Sequence, residues 1–316
     1  MYFPTAEIEV AIWIPPLVAF GISFFTSMGG VSGAFLLMPF QISILGYSNP
    51  SVSATNQVFN VVAIPSGVYR YWREGRMVWP LTLAVILGTL PGVFLGAIVR
   101  VAWMPDPSHF KLFVAVVLLY IGMKMVLDII KIPLLRRTGD NSRPIAEDSA
   151  PPHPETIAST KDRAPRAPIP KIGWRRLDFT FAETTYSVSL WGVFLLSLMV
   201  GVIGGIYGIG GGSIIAPFFI TFFALPVHIV AGAALMGTFV TSVAGVIFYQ
   251  AIAPFFPELS VAPDWLLGFL FGIGGMAGMY LGARCQKYVP GSAIKTILAA
   301  IMVFTAITYL VDFFSR

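Results

Sequence analysis

This sequence predicts an all-α polytopic membrane protein made of two inverted-topology repeats, and three observations predict it. Of its 316 residues 56% are hydrophobic and 11% charged, with a mean hydropathy of +0.81, far too apolar for a soluble domain of this length. Apolar segments recur in the same order on either side of a polar stretch. The basic residues are spread over the loops in a way that makes the two sets of segments face opposite ways.

In the first set, an apolar run over 11–28 is interrupted by glycines and resumes over 34–46, followed by segments at 51–69, 78–99 and 110–130. Each set thus predicts a glycine-broken helical hairpin and then three transmembrane helices. Residues 1–131 form the first repeat. Residues 132–186 are rich in Pro, Arg, Asp and Ser, with no apolar period, and read as a solvated, flexible cytoplasmic linker without a core of its own. The second repeat, 187–316, has apolar segments at 190–206, 213–224, 227–249, 265–283 and 293–313. The correspondence extends to single residues. Gly33 and Pro39 stand in the same relation as Gly211 and Pro217, and Gly88, Gly92 and Gly96 answer Gly274, Gly278 and Gly282. Glycine at every fourth residue gives a helix one smooth face for close packing in lipid, which is the role these triplets predict.

Charge sets the orientation. The loop with Arg70, Arg73 and Arg76 and the linker are both basic and are separated by two spans, so they share one face, which the positive-inside rule makes cytoplasmic. The counterpart loop in the second repeat, 251–264, carries Glu258 and Asp264 and no Lys or Arg; the next carries Arg284 and Lys287. That alternation requires an odd number of crossings per half, hence an inverted repeat with both termini outside. Arg100 and Lys111 fall on the wrong side of this scheme. The first ten residues hold Glu7 and Glu9 but no Lys or Arg, unlike a cleavable signal peptide.

The two broken stretches, TSMGGVSGAFLLMP and GGIYGIGGGSIIAP, hold the candidate site. Interrupted backbone is tolerated at membrane depth only where protein or a wet cavity covers it. Where a helix restarts, its first N–H groups and its dipole favour an anion. Glycines at Gly30, Gly33, Gly208, Gly210, Gly211 and Gly212 permit close approach, and Ser32 and Ser213 add hydroxyls. In an inverted repeat the two restarts meet near the midplane and hold one oxyanion between them. The following segments add a polar stripe: Ser53, Asn56, Gln57 and Asn60 in the first copy, Thr238, Thr241 and Ser242 in the second. Such stripes either glue helices together or line a substrate path, and carboxamides can donate to anionic oxygens.

Other classes fit poorly. No ionisable residue lies in the middle of a predicted span, against a proton relay or an embedded hydrolase. The net charge of +5 gathers in loops rather than on a basic helical face, against nucleic acid. A single Cys285 excludes an internal disulfide framework, and His109, His153 and His228 stand in or beside loops without a second ligand, so neither metal nor cofactor is expected. The run 205–213 lacks the lysine of a P-loop.

The G-G-x-x-G run leading to Pro39, its sharper copy GIGGGSIIAPFF, and the glycine-spaced third helix of each half together resemble the TauE/SafE family of sulfite and organosulfonate exporters. The likeness covers both halves and leaves out the linker; Ser32 in the place of a third glycine and the long linker depart from the usual pattern. The resemblance implies an inner-membrane carrier of small sulfur-containing anions, working by alternating access and not an enzyme. An anion channel on the same scaffold, or an uptake carrier for a related organic acid, is the rival expectation. The lipid bilayer and a small anion are the expected partners. The sequence leaves the coupling ion and homodimer formation open.

Overall fold

A computed structural model of the chain describes residues 1–29, 32–73, 77–137, 171–172, 176–181, 184–223, 225, 227–285, 288 and 291–315. In chain order these form β1 (Tyr2–Phe3), β2 (Ile8–Glu9), α1 (Ile14–Gly29), α2 (Ala34–Ser43), α3 (Ser51–Ala63), α4 (Pro65–Arg73), α5 (Trp79–Ala102) and α6 (Pro107–Arg137). Then follow β3 (Lys171–Ile172), β4 (Arg176–Phe181), β5 (Thr184–Ser189), α7 (Leu190–Tyr207), α8 (Ile215–Phe223), α9 (Val227–Ile252), α10 (Trp265–Cys285) and α11 (Gly291–Phe314). Six of the described helices, α5, α6, α7, α9, α10 and α11, are long and apolar enough to cross a membrane; α1 and α2 are shorter apolar helices. Large apolar side chains such as Leu87, Met199 and Phe304 face outward, as hydrocarbon allows and water does not. The chain is a mostly helical polytopic membrane protein.

Two sequence expectations change. The segment 51–69 is not one span: α3 stops at Ala63 and α4 begins at Pro65, whose ring nitrogen has no hydrogen to continue the ladder. Its counterpart α9 runs unbroken for 26 residues. The stretch assigned to the linker also carries structure at both ends. Helix α6 continues to Arg137, and β4 pairs antiparallel with β5, Phe179 opposite Tyr186 and Leu177 opposite Val188. The β-branched and aromatic residues of TTYSVS favour this pairing, a signal outweighed in the sequence by the polar composition around it. Ser189 ends β5 and caps α7, its Oγ accepting from the Gly192 amide at 3.3 Å. Residues 138–170 lie outside the described part.

Helix pairing follows the glycines. Gly88, Gly92 and Gly96 of α5 lie against Phe194, Leu198 and Val202 of α7, so these two helices run parallel and in backbone contact. Gly274, Gly278 and Gly282 of α10 lie in the same way against Pro16, Phe20 and Phe24 of α1. Each smooth face thus meets the first helix of the other half. Helix α3 runs parallel to α10, with Val58 at Gly268 and Val62 at Gly272; α9 runs parallel to α5, with Gly237 at Val85 and the Phe248 ring packed at a tilt against Phe94. Between these groups the direction reverses. On α9, Gly245 lies against Gln57 of α3, and Leu235 against Gly67 of α4. Helices α6 and α11 are also antiparallel, with Gly122 at Val303 and His109 at Phe313.

Both termini lie at one end of the molecule, called here the terminus end. The β1–β2 hairpin is tied there to the start of α3: the Asn49 carboxamide and the Ser51 hydroxyl both donate to the Thr5 carbonyl, and the Ser260 carbonyl accepts from the Ser51 amide. Helix α2 returns to this end, where the Ser43 and Tyr309 hydroxyls share a hydrogen bond of 2.5 Å. The opposite, linker end carries the starts of α5 and α7. The two basic residues that fit the charge scheme badly are accounted for at the terminus end: Lys111 Nζ is 3.3 Å from the Asp312 carboxylate, and Arg100 is buried.

The glycine contacts generate a paired test. A Cβ on Gly92 would run into the Leu198 carbonyl and the Gly201 backbone, whereas nothing lies within 4 Å of one on Gly21. Gly92→Ala should lower stability in detergent by about 1–3 kcal/mol through overpacking, and Gly21→Ala should stay within about 0.5 kcal/mol of wild type. Thermal unfolding of the two purified variants measures the difference.

Candidate functional site

Both helices break where the glycines are. Helix α7 ends at Tyr207, and Gly208 turns left-handed (φ +79°), its amide bonding back to the Gly204 carbonyl at 2.9 Å while Ile209 bonds the same oxygen at 3.1 Å. Gly210 is left-handed again (φ +74°), and α8 restarts with the Ile215 amide on the Gly212 carbonyl. In the first half α1 ends at Gly29 and α2 restarts at Ala34; Gly30 lies outside the described residues. Ser32 Oγ accepts from the Ala34 amide at 3.4 Å, and the Leu36 and Leu37 amides close on the Gly33 carbonyl.

The stripes of α3 and α9 hold these breaks, and they lie halfway through the bundle: Gly211 packs on Thr89, near the middle of α5, and Gly33 faces Phe59, which packs on Gly275 of α10. The Asn56 carboxamide donates to the Ala34 carbonyl at 3.3 Å and accepts from Gln41 at 3.4 Å. Ser53 donates to the Ile206 carbonyl (2.8 Å), Tyr249 to the Gly205 carbonyl (3.0 Å), and Tyr207 to the Phe35 carbonyl (2.8 Å), which joins the end of one broken helix to the restart of the other. Thr241 Oγ1 accepts from the Gly211 amide at 2.9 Å; Ser213 donates to the Ile209 carbonyl at 2.8 Å and lies 3.3 Å from Thr238. Several of the amides and hydroxyls read from the sequence as ligand donors are therefore engaged by the protein itself. They satisfy the interrupted backbone that hydrocarbon would leave bare.

Other members of the stripes are not spent in this way. Gln57 and Asn60 are fully buried and neither carboxamide has a hydrogen-bond partner among the described residues; the same holds for Ser242 Oγ, Ser23 Oγ and Gln41 Oε1. Gln57 faces Gly245 on α9, and Ser242 lies one turn away on the same helix, beside Gly210. Each carboxamide offers two N–H donors and the serine an O–H. An unsatisfied buried carboxamide costs about 1–3 kcal/mol, so a fold keeps two of them together only with a use for them. The restarts of α2 and α8 add the positive ends of two helix dipoles. Of the charged side chains, only Arg100 and Asp264 are buried among the described residues, and both lie at the terminus end, so the cluster is one of neutral donors. Such a site suits a small anion held moderately and released readily.

Gln41, Tyr207 and Thr89 belong to this site and were not singled out from the sequence. Gln41 is the one carboxamide in α2, whose only other polar side chain is Ser43 at its end, and Tyr207 immediately precedes the second break, so both left a readable trace.

Comparison with known proteins gives the family. The family model described as sulfite exporter TauE/SafE matches residues 16–309, nearly the whole chain, and the chain belongs to that family of membrane transporters. A curated relative, "Probable membrane transporter protein YdhB" of Bacillus subtilis (strain 168), is 23% identical over 122 residues, covering 39% of this chain and 46% of that protein. The matched stretch thus spans about half of the relative's length. No solved structure matches.

Gln57 provides the test of a site kept at the expense of stability. Gln57→Met keeps the volume and removes the unpartnered carboxamide, and should hold or raise stability by up to about 1–2 kcal/mol. A thermal melt showing clear destabilisation would assign Gln57 to packing. Gly210→Leu is no substitute, because left-handed backbone and contact with Ser242 and Thr238 would disrupt the loop itself.

Proposed function

We propose that this chain is a secondary carrier that moves a small sulfur oxyanion, sulfite or a sulfonate, out across the inner membrane by alternating access. The observation that carries the reading is the buried, unspent donor set of Gln57, Asn60 and Ser242 between two helix restarts, in a chain of the TauE/SafE family. Gly33, Gly208, Gly211, Gly212, Ser32, Ser213, Asn56, Thr238 and Thr241 shape and hold the cradle, and Gly210 lets Ser242 approach it.

The helix directions support inverted repeats. Helices α1, α3 and α10 share one direction and α5, α7 and α9 the other, so each of α1, α3 and α5 opposes its counterpart α7, α9 or α10. The bodies that rock are then not the sequence halves. Each three-helix group is locked internally by glycine contacts and mixes helices of both repeats, and the groups meet along the antiparallel seam of α3 and α4 with α9, where the donor set lies. Arg70, Arg73 and Arg284 stand toward the linker end, which supports a cytoplasmic linker and termini outside. A membrane potential negative inside drives an anion outward by about 2.3 kcal/mol per charge per 100 mV, so export proceeds without a coupled cation.

Two measurements test this. In proteoliposomes the purified chain should show saturable sulfite counterflow, lost in Gln57→Met; single-channel currents without counterflow would establish a pore instead. In a Cys285→Ala background, oxidising Gly67→Cys with Leu235→Cys, which face each other across the seam, should arrest flux until a reductant restores it. Unimpeded flux through the cross-linked protein would rule out movement at the seam.

A further inference from the structure

The strongest feature that the mid-membrane cradle does not use is Arg100. It stands in the last turn of α5, is fully buried, and no carboxylate lies within ion-pairing distance of it among the described residues. The guanidinium is received by neutral groups only: Nη1 donates to the Met104 carbonyl, Nη2 to the Ser48 carbonyl at 3.0 Å, and the Phe110 ring lies 3.8 Å from Cζ. Nε has no partner. The buried carboxylate of this end, Asp264, caps α10 by accepting from the Leu267 amide at 3.0 Å. Capping carbonyls at the end of α5 explains part of this arrangement. It does not explain the positive charge, since a neutral carboxamide could cap the same carbonyls without burying an ion.

Position supplies the reason. Tyr249, which donates to the Gly205 carbonyl beside the second break, packs in one buried cluster with Ala97 and Val101, the α5 residues on either side of Arg100, and the guanidinium itself reaches the Ser48 carbonyl in the loop after α2. Ser53, one turn before Gln57 on α3, bonds the next carbonyl, that of Ile206. From the cradle toward the terminus end, the successive polar groups are thus Ser53, Tyr249 and then the guanidinium, with the Ser48 carbonyl beyond it. We propose that Arg100 is a second holding position for the transported oxyanion, between the cradle and the terminus end, where the one uncompensated buried cation among the described residues draws the anion off neutral donors. The inference rests on the carrier reading. A guanidinium offers paired N–H donors to two oxygens of one oxyanion, which selects sulfite- or sulfonate-like groups over a spherical halide.

The experiment compares sulfite flux from the two ends in proteoliposomes of one orientation. Hydrogen bonds to a charged group are worth enough that Arg100→Gln should raise the apparent KM at the terminus end by roughly 10-fold or more, with less than about a twofold change at the linker end. Arg100→Lys, keeping the charge, should recover most of the difference. Equal changes at both ends, or none, would reduce Arg100 to a structural cap and leave the carrier standing; a wild type without flux of any sulfur oxyanion would overturn the carrier and this position with it. Should the glutamine variant not fold, wild-type crystals soaked in selenite, an anomalously scattering analogue of sulfite, decide. A peak on the guanidinium supports the site, and peaks at the cradle alone, or an adventitious ion only on the surface, overturn it.

Discussion

Hydrocarbon offers no hydrogen bonds, and every feature of this molecule follows from where its backbone is nevertheless interrupted. Each broken helix leaves N–H and C=O groups that must find partners inside the protein. The carbonyls of Gly205 and Ile206 are met by Tyr249 and Ser53, that of Ala34 by Asn56, that of Phe35 by Tyr207, and the Gly211 amide by Thr241. To reach these groups, α3 and α9 must cross next to both breaks and carry polar residues where membrane helices ordinarily have none. The polar interior is a requirement of the breaks first, and only its surplus donors are free to serve a solute.

Close approach is the second condition. Helices α5 and α7, and α10 and α1, touch through glycine backbone, which brings the breaks near enough to share one tyrosine bond. Among the described residues no charged side chain is buried at the breaks; Arg100 and Asp264, the two that are buried, lie toward the terminus end.

Much of this was legible in the sequence because its causes are local. Adjacent glycines in an apolar run mark a break, glycines four apart mark a packing face, and Ser53, Asn56, Gln57 and Asn60 fall on one face of any helix they form. What was not legible depends on partners. Periodicity shows that Gly88, Gly92 and Gly96 form a smooth face but not that the helix received by it lies a hundred residues on, in the other half of the chain. The hydroxyls of Ser32 and Ser213 read as ligand donors until the Ala34 amide and the Ile209 carbonyl beside them were in place. The strand pair before α7 was hidden by its polar surroundings, and Arg100 stood out only as an exception to a charge rule, its burial being a property of the neighbours that close over it.

The exchange of first helices has a consequence for biogenesis. When the N-terminal half leaves the ribosome, the glycine face of α5 has no occupant, and α1 has no groove to lie in until α10 is made about 250 residues after it. The early half must therefore wait in the bilayer loosely packed, its polar crossing helix only half covered, and consolidate when synthesis is almost complete. Neither half is a finished domain, and severing the chain within the long polar segment would yield two fragments each holding the helix that seals the other.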